Sequence, residues 1–201
     1  MSEIPRPQLT VIAGPNGAGK STITEAGITP FLAHFNVPLV NPDNIARQIA
    51  PDNINSPETH LRAGRIALRQ RENLLKEHKS FAMETTLSGQ GEIDMIRRAH
   101  AAGYKINLIF VGIGSSQHSH ARVAERVAKG GHAVAASDIE RRYVRTMANL
   151  PRILPFATRV RIIDNSAKER RRIFNKDQDR IKYISKDMPA WAREALASIL
   201  P

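Results

Sequence analysis

Short apolar runs alternate with longer amphipathic stretches along this chain. LTVIA (9–13), INLIFVGI (106–113) and RVRII (159–163) are dense in branched apolar residues, as strands buried on both faces are. VPLV (37–40) and FAMET (81–85) are weaker strand candidates. Helical periodicity begins at Lys20 and near Asp43, runs from about Pro57 to Lys79, and covers 92–102, 117–129 and 138–149. Strands separated by helices predict an α/β fold of three layers, a central and mainly parallel five-stranded sheet between two layers of helices. Beyond Asp164, RRIF and RIKYI flank the polar turn NKDQD and predict a small antiparallel hairpin. PAWAREALASIL then predicts a last helix with proline in its first turn. No repeat, flexible linker or composition break divides residues 1–201, so a single domain is expected.

In parallel sheets ligands gather at the carboxyl ends of the strands. Those ends here are Gly14, Asn41 to Asp43, Glu84 to Thr86, and Asp164 to Ser166. The first of them opens GPNGAGKS (14–21), which matches G-x-x-x-x-G-K-[ST] between a predicted strand and a predicted helix. Glycines let successive N–H groups turn inward on phosphate oxygens, and the helix N-terminus adds partial positive charge. The motif predicts an ATP site made by Gly14, Asn16, Gly17, Ala18, Gly19, Lys20, Ser21 and Thr22. Lys20 is expected at the β and γ phosphates and Ser21 at Mg²⁺, with Thr22 behind it.

LSGQG (87–91) resembles a scrambled LSGGQ signature of ABC transporter ATPases. Such an ATPase needs an Asp-Glu at the end of the next strand, and INLIFVGIGSS holds no acid. The run reads instead as a tight turn that starts the helix near Glu92, which shifts attention to Glu84-Thr85-Thr86.

Phosphoryl transfer needs a carboxylate near the metal and, for a hydroxyl acceptor, a base. Asp43, in NPDNIARQIA, is a candidate for the base, although helix N-capping alone would account for an Asp there. Glu84 ends an apolar strand where a carboxylate is costly without a partner; the competing reading is an edge residue turned to solvent. Residues 115–150 predict two helices joined by a GGH turn and rich in arginine, a candidate lid. Arginine forks clamp phosphate oxygens, and Arg142 borders the apolar stripe of Ile139, Tyr143 and Leu150. His132 is a candidate phosphate contact but serves equally well as a turn residue, and His118 and His120 have no evident metal partners.

Composition narrows the setting. No apolar run approaches the length of a membrane helix, and the N-terminus has no export-signal pattern, so a cytoplasmic protein with no membrane partner is expected. The absence of cysteine removes thiolate chemistry and cysteine-based zinc sites. A net charge of +11 suits either a solvated basic surface or attraction of polyanions such as nucleotides. Aromatics make up 5% of the chain, which leaves few platforms for stacking nucleic-acid bases.

The series AGPNGAGKST, NPDNIA, METTLSG, RVAERVAKGGHAV, IERRYVRTMANL and IIDNS, running from about residue 9 to 166, resembles the zeta toxin family. The resemblance implies a P-loop kinase whose best-described members are toxins of toxin–antitoxin pairs. It implies transfer of the ATP γ-phosphate to the 3′-hydroxyl of the sugar in UDP-N-acetylglucosamine. By matching position Asp43 would be the base, and Glu84 and Thr86 would contact the acceptor or organise the metal. Arg126 and Arg142 would clamp phosphates, and Asp164, Asn165 and Ser166 would border the adenine. The chain is compact beside the larger plasmid-type toxins, which puts the nucleotide-sugar pocket in question; another nucleotide sugar or a small hydroxyl compound is the alternative acceptor. Any antitoxin would be a separate protein. The competing reading from another class is an ATP-binding NTPase that acts with nucleic acid or as a regulatory module.

Overall fold

The structure, a computed structural model, describes residues 6–28, 36–129 and 134–200. Seven strands form one sheet: β1 (Gln8–Ala13), β2 (Leu39–Val40), β3 (Phe81–Thr85), β4 (Lys105–Gly112), β5 (Arg159–Asp164), β6 (Arg171–Asp177) and β7 (Arg180–Ile184). Their order is β2-β3-β1-β4-β5-β6-β7, with the first five parallel and the last two antiparallel. The α/β class expected from the sequence holds, but the sheet has seven strands rather than five. The expected antiparallel hairpin is present as β6 and β7, and it extends the sheet because β6 pairs with β5; Ile173 and Phe174 of β6 are completely buried in the main core.

The helices are α1 (Lys20–Ile23, running into a π turn over Thr24–Ile28), α2 (Pro42–Ile49), α3 (Pro57–Lys76), α4 (Gln90–Ala101), α5 (Ser116–Ala128), α6 (Ala136–Ile153) and α7 (Ala190–Ala195). None of the described helices is long and apolar enough to cross a membrane. Local chemistry sets their starts. Asn41 caps α2 by accepting from the Asp43 N–H at 2.8 Å, with Pro42 at the first helical position. Ser56 caps α3 through the Thr59 N–H, and Ser115 caps α5 through the His118 N–H. At α4 the Glu92 carboxylate reaches back to the Gly89 N–H at 2.8 Å, so the helix begins two residues before Glu92.

The main core joins Leu9, Val11, Phe81, Met83, Leu108 and Phe110 of the sheet to Ile93 and Ile96 of α4 and Leu150 and Ile153 of α6. Each such side chain contributes about 1.5–3 kcal/mol on burial. A smaller cluster packs Val40, Ile45 and Ala46 against Ala63 and Ala67, tying α2 to α3. These contacts fix the carboxyl ends of β1, β2 and β3 side by side.

Candidate active site

β1 ends at Gly14, whose φ of 147° lies where glycine alone is comfortable. A Cβ there would meet the Val111 carbonyl oxygen at 2.1 Å, so the chain leaves the sheet through a space that admits only glycine. Gly17 and Gly19 also have positive φ, 72° and 88°, and curl the loop toward the start of α1. Asn165, from the loop after β5, donates its side-chain amide to the Ala18 carbonyl at 2.8 Å. The loop is therefore braced from the opposite strand end. Lys20 folds over it and donates to the Gly14 and Pro15 carbonyls at 2.9 and 3.0 Å. Burial pushes the Lys20 ammonium below its ordinary value, against the opposing pull of Glu84 and Asp43.

Glu84 is 7% exposed and fully engaged. Ser21 Oγ donates to its Oε1 at 2.9 Å, while Asn41 Nδ2 and Thr24 Oγ1 donate to its Oε2 at 3.1 and 3.4 Å. The alternative of an edge residue in solvent is excluded, since β3 lies between β2 and β1. Asp43 is not the N-cap of α2, because Asn41 holds that role. The exposed Asp43 carboxylate makes no hydrogen bond or ion pair among the described residues and lines the same cleft as Ser21 and Glu84.

These groups surround a cavity of about 1210 Å³. Of the residues expected from the sequence, Asn16, Gly17, Gly19, Lys20, Ser21, Thr22, Asp43, Glu84, Thr86, Arg126, Arg142 and Asn165 line it. Gly14 and Ala18 shape the loop from beneath. Asp164 is not brought into the cleft: it is 3% exposed, and its carboxylate accepts from Ser166 and from Arg171 Nε at 3.1 Å, at the wall of a second cavity. Asn165 braces the phosphate loop with the amide that was expected at the base. His132 and the rest of the GGH turn lie outside the described residues. His118 is exposed, His120 stands 3.9 Å from Glu140, and no group of three or more His, Asp or Glu among the described residues suits a metal cage.

The inner half of α6 is tethered to the strand ends. Tyr143 donates to the Ile113 carbonyl at 3.0 Å, Thr146 to the Thr86 carbonyl at 2.6 Å, and Asn149 to the Leu87 carbonyl at 2.9 Å. Arg142, one turn before Thr146, is half-buried, held at 3.5 Å by Asp138, and faces the cleft. Arg126 of α5 is exposed on the other wall.

Two residues that line the cavity have no role of their own in the sequence reading. Asn41 carried a signal, an Asn directly before Pro at a helix start. Arg71 carried none, since it sits in an arginine-rich helix that reads as a solvated face.

The sequence model of the family described as Zeta toxin matches residues 1–197. The chain belongs to the Zeta toxin family. It is 34% identical over 130 residues, 65% of its own length and 88% of the other's, to a Haemophilus influenzae (strain Rd) protein described only as uncharacterized. Among solved structures this Zeta toxin family chain is similar to one in a complex of AvrRxo1-ORF1 with AvrRxo1-ORF2 and sulphate ions. The TM-score is 0.69 at 18% identity, over 88% of this chain and 60% of that one. The same assembly has been solved with ATP. The PezAT chromosomal toxin–antitoxin system of Streptococcus pneumoniae is similar with a TM-score of 0.63 at 15% identity, over 97% of this chain and 84% of that one. At these identities the likeness is one of fold, and the chain spans 60% of the AvrRxo1 chain it matches.

Proposed function

We propose that this protein is an ATP- and Mg²⁺-dependent small-molecule kinase that phosphorylates a sugar hydroxyl of UDP-N-acetylglucosamine or a related nucleotide sugar. The observation that carries this reading is Asp43: a carboxylate relieved of capping by Asn41, without a partner among the described residues, at the wall of the cavity that also holds Lys20, Ser21 and Glu84.

The residues present fit the metal. Ser21 Oγ and the Glu84 carboxylate are hard oxygen donors 2.9 Å apart, and Mg²⁺ keeps most of its waters rather than seeking an all-protein cage. When bound, it neutralises charge between the β and γ phosphates. Asn41 and Thr24 hold the Glu84 carboxylate in place. Lys20 exchanges its two loop carbonyls for phosphate oxygens, which relieves the cost of burying its charge. Asp43 accepts the proton of the acceptor hydroxyl as that oxygen bonds to the γ-phosphorus and the bond to the β-phosphate oxygen breaks. Arg126 and Arg142 spread the charge that develops on the γ-phosphoryl oxygens. Thr86 and Asp43 position the acceptor.

Membership of the Zeta toxin family and the fold likeness to the PezAT system support a separate antitoxin protein as partner. A cytoplasmic setting belongs to the same reading, since ATP is its phosphoryl donor. The test is incubation of the purified protein with Mg-ATP and UDP-N-acetylglucosamine, read by mass spectrometry for one added phosphate, beside Asp43→Asn. Phosphorylation by the wild type alone is expected. Nucleotide binding with an unmodified sugar removes this acceptor, and ATP hydrolysis of equal rate in both proteins removes the kinase.

A further inference from the structure

Arg71 stands apart from every role assigned above. It lies on α3, is 4% exposed, and forms part of the wall of the main cavity. Through Nη2 it donates to the backbone carbonyl of Val40, the last residue of β2, at 3.4 Å and to that of Glu84 in β3 at 3.1 Å. Its Nε is buried with no hydrogen-bond partner, and no carboxylate among the described residues pairs with it. Burial pulls its guanidinium below the ordinary arginine value, and Glu92 offsets this only from a distance. A guanidinium keeps its charge in a protein, so this is a buried cation with a free donor at the edge of a ligand cavity. Two backbone carbonyls are poor compensation for such a charge.

Its place in the cleft tells which ligand it suits. The phosphate loop lies on the β1 side, whereas Arg71 reaches the ends of β2 and β3, next to Asn41, Asp43 and Glu84. His60 lines the same cavity from the same face of α3, eleven positions earlier, or about 16 Å along the helix. His60 and Arg71 therefore line this side of the cavity together, and Arg71 is its buried cation.

We propose that Arg71 forms an anion subsite for the phosphoryl acceptor: its free Nε–H receives a negatively charged oxygen carried by the acceptor, at a distance from the hydroxyl that Asp43 deprotonates. The inference rests on the kinase reading for its name, acceptor, but not for the site itself. It makes a neutral sugar a poor substrate and favours hydroxyl compounds that carry a phosphate or carboxylate group.

The test uses the full chain saturated with Mg²⁺ and a non-hydrolysable ATP analogue, so that the phosphate loop is filled. Sodium sulfate is titrated in by calorimetry at constant ionic strength, with acetate in a parallel titration. One saturable sulfate site is expected in the wild type, weakened about tenfold or more in Arg71→Gln and kept within a few-fold in Arg71→Lys. Tighter acetate than sulfate would assign the subsite to carboxylates, and the reverse to phosphates. Because Arg71→Gln can fail to fold, the ¹⁵N–¹H resonance of the Arg71 Nε–H is followed in the wild type as well; it should move with sulfate along the same saturation curve. An unmoved resonance, no saturable anion site, or a site that survives Arg71→Gln and disappears in Arg142→Gln overturns the proposal. Sulfate held by Arg71 with UDP-N-acetylglucosamine left unphosphorylated keeps this inference and removes that acceptor. Phosphorylation without an Arg71-dependent site does the reverse.

Discussion

Ser21 and Glu84, 63 positions apart in the chain, share a hydrogen bond of 2.9 Å across the mouth of the phosphate loop. The pairing sets a hydroxyl from the first turn of α1, which follows β1, against a carboxylate from β3, the neighbour of β1 in the sheet. Glu84→Gln keeps the shape and replaces the metal-attracting charge. It is expected to weaken Mg²⁺ dependence of turnover by roughly 10–100-fold, the usual cost of disturbing groups that tune a metal site. Metal-free nucleotide binding should change far less. A Mg²⁺ titration of turnover, beside nucleotide binding in chelator, checks both.

Asp43→Asn separates chemistry from architecture. Since Asn41 caps α2, the substitution should leave helix content and thermal unfolding unchanged. Turnover should fall by about a hundredfold to ten-thousandfold, the range for loss of a positioned base, with ATP affinity retained. An equal loss of helix content would transfer the residue back to a capping role.

Much of this site was legible before any coordinates. The phosphate loop has fixed residues at fixed spacing, and a lone acid ending an apolar strand has few physical explanations. Asp43 was found, but its competing role as a cap was settled only by Asn41, whose side chain takes the bond. The sheet was read short because pairing of β5 with β6 is a tertiary event; the signal was the adjacent apolar pair Ile173 and Phe174, both completely buried. Arg71 was invisible, as periodicity cannot tell a solvated arginine from one turned inward beneath a strand end.

Asn165→Ala should loosen the phosphate loop from behind. It leaves the Ala18 carbonyl without its 2.8 Å donor, a loss of about 1–3 kcal/mol for a buried acceptor. Denaturant unfolding should report that decrease, and ATP affinity should fall with it. An unchanged adenine preference, measured with GTP against ATP, would fit a brace; a changed preference would restore the base contact.

Lys20 sets a pH signature. Its folded-state value lies below that of the unfolded chain because burial disfavours the ammonium. In the window between the lowered value and the ordinary 10.5, the unfolded chain holds the extra proton, so stability should rise with pH there. Lys20→Met should lose that rise. In the same window ATP binding should draw a proton onto Lys20, which calorimetry in buffers of different ionisation enthalpy detects.

The three tethers of α6 to Ile113, Thr86 and Leu87 have a mechanical meaning. They make the inner turns of that helix a fixed jaw, welded to the sheet, with Arg142 as a stationary tooth. In the proposed kinase, Arg142 would therefore be a stationary landmark for the γ-phosphoryl group, set by the fold before any nucleotide arrives.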